Sequence, residues 1–183
     1  MCIRDRHALK TGKKNRSLAF DESLNRLYVG SQGEFGYFEK NWDYVSLTEK
    51  IPESSRDFDE VWDVFLLNSK VYFCTFQRIY VYDGQSISAI NHEDGFNKSF
   101  LIHGKVFTQS QKGELIELKD NKLFTFPQEQ KNQIIAGIIP QNEGYLLFYN
   151  SGKIELSTSF GVSEKYDELI QACLLYTSPS PRD

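Results

Sequence analysis

Four consecutive segments of this sequence have the same order of parts, and this repeat constrains the fold more than any other feature. Each segment contains four short runs of aromatic and β-branched residues, which favour strands. The runs are separated by pairs such as Asn68-Ser69, Asp83-Gly84, Asp120-Asn121 and Ser151-Gly152. These residue types tolerate the positive φ angles of two-residue hairpin turns. The segments therefore predict four sets of antiparallel strands that recur about every 40 residues.

A four-stranded antiparallel unit that recurs at this spacing is typical of one blade of a β-propeller. The run at 71–76 carries apolar residues on both faces, as expected where a sheet is packed on both sides. We therefore predict an all-β fold, a partial β-propeller of about four four-stranded antiparallel blades. The inner strands are expected near residues 17–20, 61–67, 100–102 and 134–139. An irregular β-sandwich is the alternative architecture.

An arc of blades leaves the outer faces of its first and last blades without a neighbour. We expect those faces to carry residues such as Leu27, Val29, Leu146 and Phe148. Because large exposed apolar patches promote association, the isolated fragment is expected to be unstable or to self-associate.

The two ends of the chain differ in origin from the repeat. Residues 1–6 (MCIRDR) and the start of 173–183 (CLLYTSPSPRD) can be encoded by the complementary strands of one short DNA element. Such a pair is typical of translated sequencing adapter, so we expect both segments to be artefacts that pack poorly. The propeller fragment is then 7–172, and a signal peptide or membrane helix can lie in sequence outside this chain.

Charge and cysteine content restrict the remaining classes of protein. The net charge is −4, with both signs interspersed, so the fragment is not expected to contact nucleic acid directly. The one basic run, Lys10, Lys13, Lys14 and Arg16, favours a solvated loop. Only Cys74 lies outside the suspect ends, which leaves no intrachain disulfide. We expect Cys74 to be a small buried hydrophobe.

The segment 27–38 (LYVGSQGEFGYF) resembles a repeat of the two-component regulator propeller. The stretches 58–64 (FDEVWDV), 70–73 and 78–84 (RIYVYDG) are similar to the next blade of that family, and the resemblance extends over roughly 15–172. The usual family repeat has a Trp in its second strand, where this sequence has the side chains of Tyr28, Tyr72, Phe107 and Leu147.

This resemblance implies the extracytoplasmic sensor region of a Bacteroidetes-type bacterial regulator, which acts in signal transduction and transcription regulation. In that family the propeller precedes a triple-tyrosine immunoglobulin-like domain, a membrane helix, and a histidine kinase or helix-turn-helix output. None of these parts is in this chain. The resemblance therefore implies a periplasmic module of an inner-membrane protein, with a homodimer as one option for the full-length protein.

Propeller topology suggests where a ligand binds. Connections between second and third strands, and between successive blades, emerge on one face around the central channel. Amides and charges there suit a hydroxyl-rich ligand such as a glycan breakdown product, or a protein partner. The neighbouring candidates are Gln32, Gln111 and Asn150. The predicted ligand-binding residues are Asp59, Glu60, Trp62, Gln77, Arg78 and Lys112.

Catalytic and metal-binding patterns are weak, so we predict no enzyme activity, cofactor or metal. Asp57, Asp59 and Glu60 are close in sequence, as acid–base or metal sites require, but their spacing matches no calcium loop. His92 and His103 lack nearby Cys or paired His. Trp62 is expected to fill a contact between blades, with a ligand-facing role as the alternative. A propeller enzyme acting on glycans and a protein-interaction scaffold, such as the Trp-Asp propellers, remain the alternative functions.

Overall fold

The computed structural model describes residues 13–142 and 144–158, together with the backbone of 161–163. The two suspected adapter segments, 1–6 and 173–183, lie outside the described residues. The chain divides into two compact units, one ending at Phe96 and the other beginning at Asn97. The described residues form four antiparallel four-stranded sheets. The prediction of an all-β chain with four four-stranded antiparallel units is therefore confirmed.

The first unit contains two sheets whose strands follow chain order. The connection between them contains two short 3-10 turns, Thr48–Lys50 and Glu53–Ser55. The first sheet consists of β1 (Asn15–Asp21), β2 (Arg26–Ser31), β3 (Glu34–Phe38) and β4 (Tyr44–Ser46). The second sheet consists of β5 (Val61–Leu67), β6 (Lys70–Thr75), β7 (Arg78–Tyr82) and β8 (Ile87–Asn91).

The second unit repeats this arrangement, and its first strand begins at the boundary residue Phe96. In both sheets, neighbouring strands in the sequence are neighbours in the sheet. The first sheet of this unit consists of β9 (Phe96–Ile102), β10 (Lys105–Ser110), β11 (Leu115–Lys119) and β12 (Lys122–Thr125). The second consists of β13 (Ile135–Gln141), β14 (Gly144–Tyr149), β15 (Ile154–Thr158) and β16 (Gly161–Ser163).

Aromatic side chains fill the space between the two sheets of the first unit. Register places Tyr28 and Tyr37 opposite each other on one sheet, and Phe73 and Tyr80 on the facing sheet. The ring of Phe35 stacks on that of Phe73, with 4.5 Å between ring centres. Such aromatic pairs add to the stabilisation from apolar burial, so this layer holds the two sheets together.

The second unit buries a mixed layer between its sheets. Phe107 and Leu115 on one sheet pack with Ile135 and Leu147 on the other, and all four are fully buried. The side chain of Gln109 is also fully buried within this layer. Since a buried amide is costly without hydrogen bonds, its partners are central to this unit, as shown below.

Turn geometry confirms part of the hairpin prediction. Asn68 and Ser69, with φ of 50° and 60°, and Asp120 and Asn121, with 51° and 59°, adopt the positive φ angles that two-residue hairpin turns need. The Asp83-Gly84 prediction is displaced by one residue, because the backbone N–H of Asp83 donates to the carbonyl of Ser86. Ser151-Gly152 instead belongs to a three-residue turn, in which the Tyr149 N–H donates to the Lys153 carbonyl.

The terminal sheets have the outer-face residues that the repeat predicts, with different exposure. Register places Val29 opposite Leu18, and Leu27 opposite Phe20, on the face of the first sheet turned away from β5. Leu18 and Phe20 are 60% and 53% exposed, whereas Val29 is buried. Leu146 and Phe148 are half-buried on the last sheet, on the face turned away from β10 and β11. The prediction of a buried Cys74 is confirmed.

Candidate ligand-binding site

The predicted binding residues of the first unit meet at one end of its strands. We call this group the strand-end cluster. It lies where β1 and β5 begin and where β6 turns into β7. Contacts join Arg16, Glu60, Trp62 and Phe76 in one group, and Asp57 with Arg78 in a second. The strand-end cluster consists of Arg16, Asp57, Glu60, Trp62, Phe76, Gln77 and Arg78.

Two β-bulges orient the central pair of the cluster. The pairing register of β5 with β6 shifts between Val61 and Asp63, so Trp62 is the additional residue. Arg16 has the same position in β1, where the register shifts between Asn15 and Ser17. Bulges redirect side chains and are frequent beside functional sites. Both edge strands therefore present a side chain outside the regular pairing.

Trp62 is the largest partly exposed side chain of the cluster, with 37% of its surface accessible. The Arg16 guanidinium lies 5.1 Å from the centre of its indole ring, a cation–π distance. The ring centre of Phe76 lies 5.2 Å away. Trp62 thus contacts the neighbouring sheet through Arg16, as expected for an inter-blade contact, and still keeps an accessible surface.

Two ion pairs neutralise most of the charge in the cluster. Arg16 Nη2 lies 2.8 Å from Glu60 Oε1, and Arg78 Nη2 lies 2.5 Å from Asp57 Oδ1. The Arg78 side chain is more buried than that of Asp57. Each of the two carboxylates is thus engaged by one guanidinium group.

The β6–β7 turn contains two buried polar atoms that lack a hydrogen-bond partner among the described residues. They are Gln77 Oε1 and Arg78 Nε, one acceptor and one donor. Leaving such a group unpaired costs about 1–3 kcal/mol. The β6–β7 turn therefore holds one acceptor and one donor whose hydrogen-bonding capacity is unused among the described residues.

Backbone contacts join this end of the first sheet to the segment before β5. The Gly33 N–H donates to the Asp59 carbonyl at 2.5 Å, and Gln32 forms a bridge with Glu60. Asp59 therefore acts through its backbone, while the residue itself is exposed. Ser17 Oγ also donates to the Val61 carbonyl, at 3.1 Å.

The strand-end cluster contains four of the six predicted residues, and a fifth, Asp59, lies beside it through its backbone bond to Gly33. The cluster also includes Asp57 and two residues, Arg16 and Phe76, that the sequence did not suggest as binding residues. Lys112 is exposed in the β10–β11 turn of the second unit, beside Gln111. Arg16 is not a free loop residue, because it contacts both Glu60 and Trp62. Phe76 was also missed. The matching positions of Arg16 and Trp62 at the start of two repeats are the signal that identifies this pair.

Metal-binding geometry is not present in the described part of the chain. No group of three His, Cys, Asp or Glu side chains there is arranged to hold a metal ion. Within the same residues, no helix has the length and apolar character required to cross a bilayer.

Comparison with known proteins identifies the fold. No family model and no curated protein matches this chain. The WD40 β-propeller domain of Doa1 matches with a TM-score of 0.59 and 14% identity, covering 81% of this chain and 53% of that one. A catalytically inactive virginiamycin B lyase from Staphylococcus aureus matches with a TM-score of 0.64 and 10% identity, covering 86% and 58%.

A bacterial surface protein has the same type of fold. PorZ, an essential surface component of the type-IX secretion system of Porphyromonas gingivalis, matches with a TM-score of 0.56 and 15% identity. The match covers 86% of this chain and 21% of PorZ. The chain spans about half the length of the WD40 domain that it matches. These likenesses show a β-propeller fold, which confirms the predicted fold class.

Proposed function

We propose that this chain is a non-catalytic, ligand-binding part of a β-propeller that serves as the sensing module of a larger bacterial regulator. The ligand class is hydroxyl-rich, such as a glycan breakdown product. The observation that supports this proposal best is Trp62, which a bulge holds against Arg16 with part of its surface accessible. Ligand sites commonly combine such an apolar surface with a few oriented polar groups.

The chemistry of the cluster suits sugars and similar polyols. The apolar C–H face of a sugar ring can pack on the accessible part of Trp62, while its hydroxyls bond polar groups beside that ring. Gln77 Oε1 can accept a hydrogen bond and Arg78 Nε can donate one. A hydroxyl both donates and accepts, so it complements this pair.

Sensing is a better match than catalysis for the acidic residues of the cluster. Glycan hydrolysis generally needs two carboxyl groups that flank the reacting bond. Here Asp57 and Glu60 are each engaged by an arginine. The exported location and the downstream triple-tyrosine, membrane and output domains belong to the same proposal.

The test uses the full chain and a panel of mono- and oligosaccharides, titrated by calorimetry and by tryptophan fluorescence. The sequence has two tryptophans, Trp42 and Trp62. In a Trp42→Phe background, the remaining emission comes from Trp62, and a sugar that stacks on it should shift that emission. Trp62→Ala and Arg78→Ala should each lower the affinity about tenfold or more.

Trp42→Ala is the matched control, because Trp42 is also exposed but lies in the β3–β4 turn. Its replacement should leave sugar affinity unchanged. Equal affinity of the Trp62→Ala, Arg78→Ala and unmodified chains would exclude the strand-end cluster as the binding site. Turnover of a glycan by the chain would instead support the enzyme alternative.

A further inference from the structure

A concave surface lies at the end of the first unit's strands opposite to the strand-end cluster. It is bounded by the β1–β2 turn, the β5–β6 turn and the beginning of the β7–β8 turn, and we call it the hairpin groove. Its volume is about 560 Å³, within the range of about 300–1,000 Å³ for ligand pockets. No residue of the strand-end cluster lines the hairpin groove.

The walls of the hairpin groove are apolar and accessible. Leu24 is 54% exposed in the β1–β2 turn, Leu66 contributes a partly buried side chain, and the 53% exposed Phe20 and the partly buried Leu67 border the groove. Tyr28 lies at the base, fully buried against the aromatic layer. Leu24 is in a turn, where an exposed leucine contributes nothing to a sheet core. Exposed apolar side chains around a concavity are typical of an interaction surface.

The rim of the hairpin groove is acidic. Asp21, Glu22 and Asp83 line it, and among the described residues no Lys, Arg or His lines it. Arg26 lies opposite Asp21 in the β1–β2 pairing and interacts with the Asp21 carboxylate, while its guanidinium also lies 4.5 Å from the centre of the Tyr37 ring and 3.5 Å from Glu39. The three rim carboxylates outnumber this one arginine, so the groove combines apolar walls with net negative charge.

Turn geometry fixes two of these carboxylates in the ionised form. The Asp21 Oδ1 atom accepts hydrogen bonds from the Ser23 hydroxyl and from the Ser23 and Leu24 N–H groups. The Ser23 hydroxyl bond is the main cause of the lowered pKa of Asp21. The N–H groups of Ser86 and Gln85 lower the pKa of Asp83 to about 2. Their charge is thus present at every pH relevant to binding.

We propose that the hairpin groove binds a short segment of a protein partner in which leucine-like side chains alternate with Lys or Arg. The apolar side chains enter between Leu24 and Leu66, and the cations contact the acidic rim. Charge complementarity selects this partner over an acidic one. The inference is independent of the sugar-sensing proposal, because the two surfaces lie at opposite ends of the strands.

The test measures fluorescence anisotropy of the labelled peptide KLKLKL with the full chain, and compares it with the peptides ELELEL and KSKSKS. The first peptide should bind, and the other two should bind about tenfold more weakly or not at all. Added salt should weaken binding, since the rim charges are exposed and are screened. Equal binding of KSKSKS would overturn the proposal, because it would show non-specific charge attraction.

Variants of the chain locate the site. Leu24→Ser and Glu22→Lys should each lower the affinity for KLKLKL about tenfold, with little change in stability because both residues are exposed in the β1–β2 turn. Ile139→Ser and Glu93→Lys are the matched controls at exposed positions outside the groove, and should not change it. Unchanged affinity of the first two variants would overturn the proposal. Self-association that Leu24→Ser abolishes would also overturn it, because a second copy of this chain would then be the occupant.

Discussion

Aromatic rings fill the layer between the two sheets of the first unit, whereas the second unit places buried polar side chains in the equivalent layer. In the first unit, Phe35 and Phe73 stack within a cluster of buried aromatic and aliphatic side chains. In the second unit, Gln109 Nε2 donates to the carbonyls of Gly113 and Gln133, and its Oε1 accepts from the Ile135 N–H. Polar groups of the second unit are thus used to join its sheets.

The carboxylate of Glu155, in the second unit, gives another contrast between the two units. It is buried, and its carboxylate accepts hydrogen bonds from the N–H groups of Glu129 and Gln130 and from the Tyr149 hydroxyl. In the first unit, the acidic side chains Asp57 and Glu60 instead lie at the strand ends, paired with arginines. Buried carboxylates need such complete satisfaction, so the role of Glu155 is structural.

The bulges make the contrast sharper. The bulge of β13 falls at Ala136, whose carbonyl accepts a hydrogen bond from Lys98 Nζ at 2.8 Å. The corresponding bulges of the first unit carry Arg16 and Trp62. The β-bulge therefore presents a cationic or an aromatic side chain in the first unit and a methyl group in the second unit. The paired Arg16 and Trp62 of the first unit therefore have no counterpart at the bulge of β13.

Glu155→Leu should have the largest effect on stability. It removes three hydrogen bonds to a buried carboxylate, from the N–H groups of Glu129 and Gln130 and from the Tyr149 hydroxyl, so we expect a loss of about 4 kcal/mol in the free energy of unfolding. Chemical denaturation of the full chain measures this loss. Glu129→Gln is the control, because Glu129 contributes only its backbone N–H to the network. A loss below about 1 kcal/mol would mean that Glu155 is not a structural clamp.

Gln109→Leu should cost about 3 kcal/mol, because it leaves the Ile135 N–H and the Gln133 carbonyl without partners in a buried layer. Leucine is similar in size, so the loss reports hydrogen bonding rather than a cavity. Denaturant titration checks it, with Gln111→Leu at the exposed neighbouring turn as the control. Unchanged stability would show that the hydrogen bonds of Gln109 do not stabilise the second unit, in contradiction of the proposed difference between the two layers.

Alkaline pH should destabilise the first unit through Tyr80. Burial raises the pKa of Tyr80 to about 12 from an ordinary value of 10.0, and its hydroxyl donates to the Ser55 carbonyl. The folded state therefore disfavours the phenolate. The stabilisation is complete below pH 10 and is lost between about pH 10 and 12, on the order of 2 kcal/mol. Tyr80→Phe should lose less stability over this pH range, as measured by denaturation at each pH.

Gly30→Ala should separate the sheets of the first unit. A β-carbon at Gly30 would lie 2.5 Å from both Ser17 Oγ and Val61 Cγ1, so the sheets must move apart at a cost of about 1–2 kcal/mol. Gly137 in β13 has open space at this position, so Gly137→Ala is the matched control and should be nearly neutral. Thermal denaturation compares the two variants, and equal melting temperatures would contradict this close approach.

Arg16→Ala should have the smallest effect on stability, below about 1 kcal/mol, because partly exposed ion pairs contribute little. It should nevertheless weaken sugar binding, since Arg16 holds the indole of Trp62 in place. Calorimetry and denaturation of one protein sample separate the two effects. A large loss of stability would show that Arg16 has a mainly structural role, like that of Gln109 and Glu155 in the second unit.

Local chemistry made the strands predictable, and long-range contact made the site difficult to predict. The residue types at 61–67 predict a strand, and those of Asn68-Ser69 predict a turn with positive φ angles. The structure has β5 with these bounds and positive φ at both turn residues. The contact of Arg16 with Glu60 joins residues 44 positions apart. A register shift leaves no residue-type signature, so the bulge at Trp62 could not be read from the sequence.

The bond from Gly33 N–H to the Asp59 carbonyl has a consequence for folding cooperativity. In a repeat architecture, stability is approximately a sum of intrinsic repeat terms and terms between nearest neighbours. The Gly33–Asp59 bond and the Gln32–Glu60 bridge belong to the second kind, because each joins one sheet to the segment that leads into the next. They raise the free-energy cost of a boundary between a folded and an unfolded repeat. Loss of these bonds would leave each sheet with its own intrinsic stability while broadening the unfolding transition of the array.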